Sequence, residues 1–393
     1  GMFVVSLPYA VLHGGYWAIV AMIGIAHICC YTGRILVDCL YEKDNEGALM
    51  RVRDSYVAIA DACFGPGIGG RIVNCAQLIE LSMTCILYIV VCGDLLRGSF
   101  PTGPIDTRSW MMICGFLMLP CAFLRNLHHV STLSFWCTVA HFIINAVILS
   151  YCILCIGSWG WSKVQFSIDI YTFPISLGII VFSYTSQIFL PTLEGNMKDP
   201  GMFWPMLKWS HIAAAVFKSL FGYVGFLTWG EATQEVITNN LPTQGFKAFV
   251  NFVLVIKALL SYPLPYFAAV DLIQNALFRG PPDTPFDSVF DKEGELKTKG
   301  MAIRLGLVFF TVMVAVVIPH FALLMGFIGS ITGTMLSFIW PTYFHLKLKG
   351  DELDLATKAY DSLIIFLGFL FGTVGVYSSG RALKLAFELG LDY

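Results

Sequence analysis

The sequence predicts an all-α polytopic membrane protein, and three observations carry that prediction. Of 393 residues, 57% are hydrophobic and only 13% charged, whereas a soluble globular domain carries about 25% charged residues. The apolar residues form long unbroken runs, such as FKAFVNFVLVIKALL at 246–260 and AIRLGLVFFTVMVAVVI at 302–318. The 24 Lys and Arg fall mostly on one side of those runs. The first observation excludes an ordinary cytosolic enzyme. The second excludes a β-barrel, whose strands alternate apolar and polar side chains over about ten positions.

A bilayer core takes about 20 apolar residues per crossing. Reading the runs against Gly, Pro and charge gives eleven spans, at 1–13, 16–40, 71–96, 110–124, 130–157, 173–193, 203–229, 246–278, 301–320, 321–346 and 360–379. The chain opens GMFVVSLPYAVLHGG, without an initiator Met at position 1 or the basic start of a signal peptide. Fifteen helical residues rise only about 22 Å, so the first span is read as truncated. Pro319 and His320 alone divide the ninth span from the tenth.

Basic residues are retained on the cytoplasmic side. With the N-terminus cytoplasmic, sixteen Lys and Arg lie on that side and six on the other: Arg97, Arg108, Lys163, Lys247, Arg381 and Lys384. Lys218 and Lys257 sit within spans. Two cytoplasmic excursions stand out. The segment 42–67 carries apolar periodicity and predicts a short interfacial helix, while 279–300 reads as a polar connector.

Several chemistries are unsupported. A charge of −2 and the lack of a basic tail argue against nucleic-acid binding. All twelve cysteines lie between Cys29 and Cys155, in or beside apolar runs, and loop 98–109 has none, so no disulfide framework is expected. Cys152 and Cys155 have CxxC spacing but apolar neighbours and no second pair, which reads as packing. No GxxxxGK[ST] supports ATP-driven pumping. His27, His141, His211 and His320 are isolated in sequence, so no metal or cofactor is expected.

Function should lie where helix breakers or ionisable groups sit at membrane depth, because both are costly unless they line a cavity or find partners. Gly1 and Pro8 bracket one such stretch, followed by Gly14 and Gly15; the polar run Ser183 to Gln187, followed by Pro191, makes the other. They open the first and sixth spans, so two five-helix sets each begin with a broken helix: 1–157, 158–349, then an eleventh span and short tail in 350–393. Interrupted segments in matching places of two halves point to a transporter site. A half-helix N-terminus offers N–H groups to a carboxylate, and freed carbonyls suit an ammonium. The carboxylate of a zwitterionic substrate is therefore assigned to Gly1, Met2, Phe3 and Val4, and its ammonium to Ser183, Tyr184, Thr185 and Ser186. Phe3 and Tyr184 would close over it, in part by cation–π attraction.

Glu80 is the deepest acid and Lys257 lies mid-span, with Ser261 one turn on and Pro263 and Pro265 beyond. Both are assigned to proton coupling, against the alternatives of hydrogen-bonded packing for Glu80 and snorkelling for Lys257. Lys218 has a similar setting without a decision either way. Asp271 and Glu194, near cytoplasmic span ends, are candidates for gating pairs.

The segments CCYTG, RVRDSYVAIA, FSYTSQIFLPTLEGNM, WSHIAA, VITNNLP and KALLSYPLPYFAA resemble the amino acid/auxin permease family, in particular its carriers of inhibitory amino acids into vesicles. The resemblance implies eleven spans, a leucine-transporter-like five-plus-five inverted repeat, and a synaptic-vesicle membrane. It also implies GABA and glycine as substrates, uptake in exchange for protons, and a chloride dependence that no residue pattern here displays. A proton symporter of the plasma or lysosomal membrane stays open, as do an intramembrane enzyme and a non-transporting receptor.

Overall fold

The computed structural model describes residues 2–123, 128–280, 288 and 297–390; for residue 2, residues 128–131 and residue 134 the backbone alone is described. Gly1, Arg125 and most of the 279–300 connector lie outside the described residues.

A 3-10 turn at Met2–Ser6 leads into α1 (Leu7–Gly14). Pro8 lies in the first turn of α1, where its missing N–H removes no helical bond and its fixed φ favours the helix. It therefore starts the helix it was expected to interrupt. The break falls at Gly15, whose φ of 60° suits glycine and whose Cβ, if present, would strike the Gln165 carbonyl. The chain resumes as α2 (Tyr16–Asp38).

Segment 42–67 holds the expected interfacial helix as α3 (Tyr56–Phe64), capped by the Ser55 hydroxyl accepting from Ala58 N at 3.1 Å. Ahead of it lies an antiparallel hairpin, β1 (Tyr41–Lys43) and β2 (Leu49–Arg51), pairing Glu42 with Met50. Strands of three residues are too short for alternation to betray them.

Next come α4 (Ile68–Ser99), α5 (Thr107–Met118) with a 3-10 extension at Leu119–Phe123, and α6 (His128–Leu154). The sixth span is split as expected into α7 (Phe173–Tyr184) and α8 (Leu190–Gly195). Beyond them run α9 (Phe203–Trp229), α10 (Gln244–Ser261), α11 (Pro263–Leu277) and α12 (Thr298–Val317). Helix α10 passes into α11 through Tyr262, which keeps helical dihedrals and bonds back to Ala258.

The break expected at Pro319 and His320 is present, and α13 (Phe321–Ile328) begins after it. Wide π turns at Gly329–Gly333 and Met335–Ile339 join α13 to α14 (Trp340–Lys349). Ser330, Thr332 and Thr334 hydroxyls there donate to carbonyls one turn back, a bonding pattern that loosens a helix. Last is α15 (Leu355–Glu388).

Among the described residues, eight helices are long and apolar enough to cross a membrane, and three shorter apolar helices, including α7, accompany them. The protein is a multi-pass membrane protein. Phe116, Phe135, Trp136, Phe309 and Phe366 point outward from the bundle, a rim that hydrocarbon, not water, would solvate. The helix from α13 to α14 is the most enclosed, with 83% of its apolar stretch buried against 28% for α15. It crosses α7 through glycines: a Cβ on Gly178 or Gly329 would run into the carbonyl of Gly326 or Gly178 respectively.

Candidate functional site

The end of α7 exposes backbone carbonyls that no further turn can satisfy. Thr185 Oγ1 donates to the Val181 carbonyl at 2.7 Å and Ser183 Oγ to that of Ile180 at 2.7 Å. The Ser183 carbonyl itself accepts from Lys218 Nζ of α9 at 2.6 Å. That ammonium also lies 3.9 Å from the centre of the Tyr184 ring. Lys218 thus caps the negative end of a half-helix and uses a ring face as well. Among the described residues no carboxylate forms an ion pair with it.

Beside this break lies a cavity of about 260 Å³ lined by Phe3, Glu80, Ser183, Thr185 and Ser186, together with Thr84, Tyr88, Phe182 and Pro265. Five residues singled out from sequence therefore meet in one space, drawn from the first, third and sixth spans. Phe3 forms part of its wall, with ring centres 5.2 Å from Tyr88, 5.2 Å from Phe182 and 5.9 Å from Phe321. Glu80 is 4% exposed, and neither carboxyl oxygen has a hydrogen-bond partner among the described residues. A buried carboxyl left in that state needs a proton or a cation.

Other assignments are placed differently. Val4 is buried in the core and does not line the cavity. Met2 to Ser6 is wound as a 3-10 turn instead of being unwound. Tyr184 adjoins the cavity residues in sequence but its ring serves Lys218. Lys257 also stands off the cavity: Nζ donates to Thr138 Oγ1 at 3.0 Å and Ser261 Oγ at 3.2 Å. Its link to the cavity is indirect: its partner Ser261 lies beside Tyr88 of the cavity wall.

Gln187 was passed over in the sequence although it ends the polar run. It is fully buried and donates to the Cys29 carbonyl at 3.2 Å and Thr32 Oγ1 at 3.1 Å. Its own oxygen accepts from Ser186 N at 3.0 Å and Ser337 Oγ at 3.1 Å. One amide thereby pins the break to α2 and to the π turns. Near the span end that the basic residues assign to the cytosol, Glu194 of α8 accepts from Tyr41 and pairs with Arg51 at 3.4 Å. Asp271 forms no ion pair among the described residues.

Comparison with known proteins supplies the family. Residues 1–380 match the family described as transmembrane amino acid transporter protein. The chain is 51% identical to the vesicular inhibitory amino acid transporters of Xenopus tropicalis and Homo sapiens, over all of its own length and 76% and 75% of theirs. It is 49% identical to the vesicular GABA transporter of Caenorhabditis elegans, over 98% of its own length and 78% of that protein's. The family match over residues 1–380, together with a broken-helix cavity holding a buried acid, places the protein among the transmembrane amino acid transporters.

Proposed function

We propose that this transporter loads GABA and glycine into vesicles in exchange for luminal protons, by alternating access around the breaks in the first and sixth spans. Two five-helix sets, 1–157 and 158–349, would rock about the cavity while α15 stays at the rim. The names of the similar proteins support vesicular transport of inhibitory amino acids, GABA among them; glycine is added by the resemblance already described.

The observation that carries the exchange is Glu80. A carboxyl buried in the cavity wall and without a hydrogen-bond partner among the described residues takes either a proton or a substrate ammonium, and one excludes the other. Facing the cytosol, a substrate amino group displaces the proton; facing an acidic lumen, a proton displaces the substrate. The carboxylate of the substrate lies toward the turn at Met2 to Val4 and its ammonium toward Glu80 and the Ser183 to Ser186 break. Lys257 acts through Ser261 and Tyr88 as the second coupled group. Chloride enters this scheme only by the resemblance already described.

The test is accumulation in liposomes that contain the full chain, an acidic interior and a positive-inside potential. GABA and glycine should both accumulate, and a protonophore should abolish the gain. Glu80→Gln should bring accumulation down to the level seen without a gradient. A folded wild-type protein that accumulates neither amino acid overturns the reading.

A further inference from the structure

We propose that Glu235 is the luminal proton-binding site of this transporter and that its charge state controls the turn carrying Phe3 into the cavity. The inference deepens the exchange reading and rests on it. Glu235 lies between the 3-10 turns Gly230–Ala232 and Ile237–Asn240 that connect α9 to α10. The distribution of basic residues assigns that connection to the side opposite the cytosol.

The carboxyl is not in water there: the residue is 7% exposed. Oε2 accepts from the Ala322 amide at 3.5 Å, with the Phe321 amide beside it, so the group sits at the N-terminus of α13. Oε1 has no hydrogen-bond partner among the described residues. A helix N-terminus favours a negative charge, and an orphaned oxygen in a dry site favours a proton. The position is balanced between the two states.

Both ends of Glu235 are linked to the turn that carries Phe3. Its backbone carbonyl accepts from Ser6 Oγ at 2.8 Å, at the end of the Met2–Ser6 turn. Its carboxyl holds the first amides of α13, and the Phe321 ring at that helix start packs on Phe3. Phe3 walls the cavity. When Glu235 is charged, the carboxylate holds the start of α13 in place and with it the Phe321–Phe3 contact. A luminal proton cancels that charge, weakens the hold and frees the Phe3 turn, opening the luminal exit. The proton comes from water on the luminal face and returns there or passes into the cavity, and no other bond changes.

Among the described residues, the groups facing Glu235 are few. Asp94 of α4 is the nearby acid. His320 immediately precedes α13. The Met2–Ser6 turn contributes the Ser6 hydroxyl, and Ile237–Asn240 holds no charged residue. Burial pushes the Glu235 carboxyl up to about 7, opposed by the Ala322 and Phe321 amides. A group titrating there passes from about a tenth to about nine-tenths protonated between pH 8 and 6, the range an acidifying lumen crosses.

GABA counterflow, with GABA on both faces and only luminal pH varied, is the measurement. Wild type should exchange about tenfold faster at luminal pH 6 than at pH 8. Glu235→Gln, fixed in the uncharged state, should exchange at the fast rate throughout. Ser6→Ala, which removes one buried hydrogen bond and leaves the carboxyl itself intact, should flatten the profile with only a modest fall in melting temperature. A wild-type profile in Glu235→Gln, or in Ser6→Ala should the first variant not fold, overturns the proposal. Loss of protonophore-sensitive accumulation with this profile intact would instead overturn the exchange reading and leave Glu235 supported as a luminal pH sensor.

Discussion

At Lys218 the chain places an ammonium against the last carbonyls of a half-helix, 2.6 Å from Ser183 O and over the Tyr184 ring. A hydrogen bond from a charged donor contributes about 1.5–3 kcal/mol, and an acceptor left without it loses a comparable amount. Lys218→Met should therefore lower stability by about 1–3 kcal/mol, read as a lower melting temperature of the purified protein in detergent. An unchanged melting temperature would mean that the break satisfies itself. Residues of this kind were only partly legible. Lys218 and Lys257 look alike in sequence, since hydropathy reports depth and not direction. The structure turns one to the break and the other to Thr138 and Ser261. Glu235 gave no signal, because WGEATQEVITNN reads as a solvated loop. Its burial comes from packing on an amide 87 residues away.

Helix ends were more legible, because Pro, Gly and polar runs at membrane depth are conspicuous against apolar sequence. The breaks at Gly15, at Thr185 to Phe189 and at Pro319 all fall in segments that the composition marked. What composition could not supply was which helices those segments touch. Gly178, Gly326 and Gly329 look like unremarkable flexible points, yet they form the crossing of α7 with α13. Backbone contact at that crossing leaves no room for a methyl group, and overpacking a close contact costs about 1–3 kcal/mol. Gly329→Ala should destabilise the protein by that order and impair transport with it. Gly24→Ala is the control: nothing lies within 4 Å of the added Cβ, so melting temperature and transport should both hold. Equal effects of the two substitutions would show that helix flexibility, not close packing, governs the glycines.

On the scale of the whole molecule, a carrier that opens alternately must hold one face shut by contacts that break. The face that the basic residues assign to the cytosol has a set suited to that role under the proposed alternating access. Arg51 of the hairpin pairs with Glu194 at 3.4 Å and donates to the Pro191 carbonyl at 2.8 Å, while Tyr41 donates to the same carboxylate. Lys349 of α14 donates to the Tyr41 carbonyl at 2.5 Å. The hairpin and half-helix α8 are thereby joined at one carboxylate that is 2% exposed, and α14 is tied to the hairpin through the Tyr41 carbonyl. Exposed ion pairs are worth little, but here one partner is buried, and removing Arg51 leaves the carboxylate, among the described residues, with the Tyr41 hydroxyl alone. Arg51→Ala should therefore release α8: its amides, residues 190–195, should lose hydrogen-exchange protection, while those of α4 keep theirs. Glu194→Gln should do the same, and the double variant should add little to either, because all three changes remove one shared contact. Full protection of 190–195 in Arg51→Ala would show that α8 is held from within the bundle, with the hairpin merely resting against it.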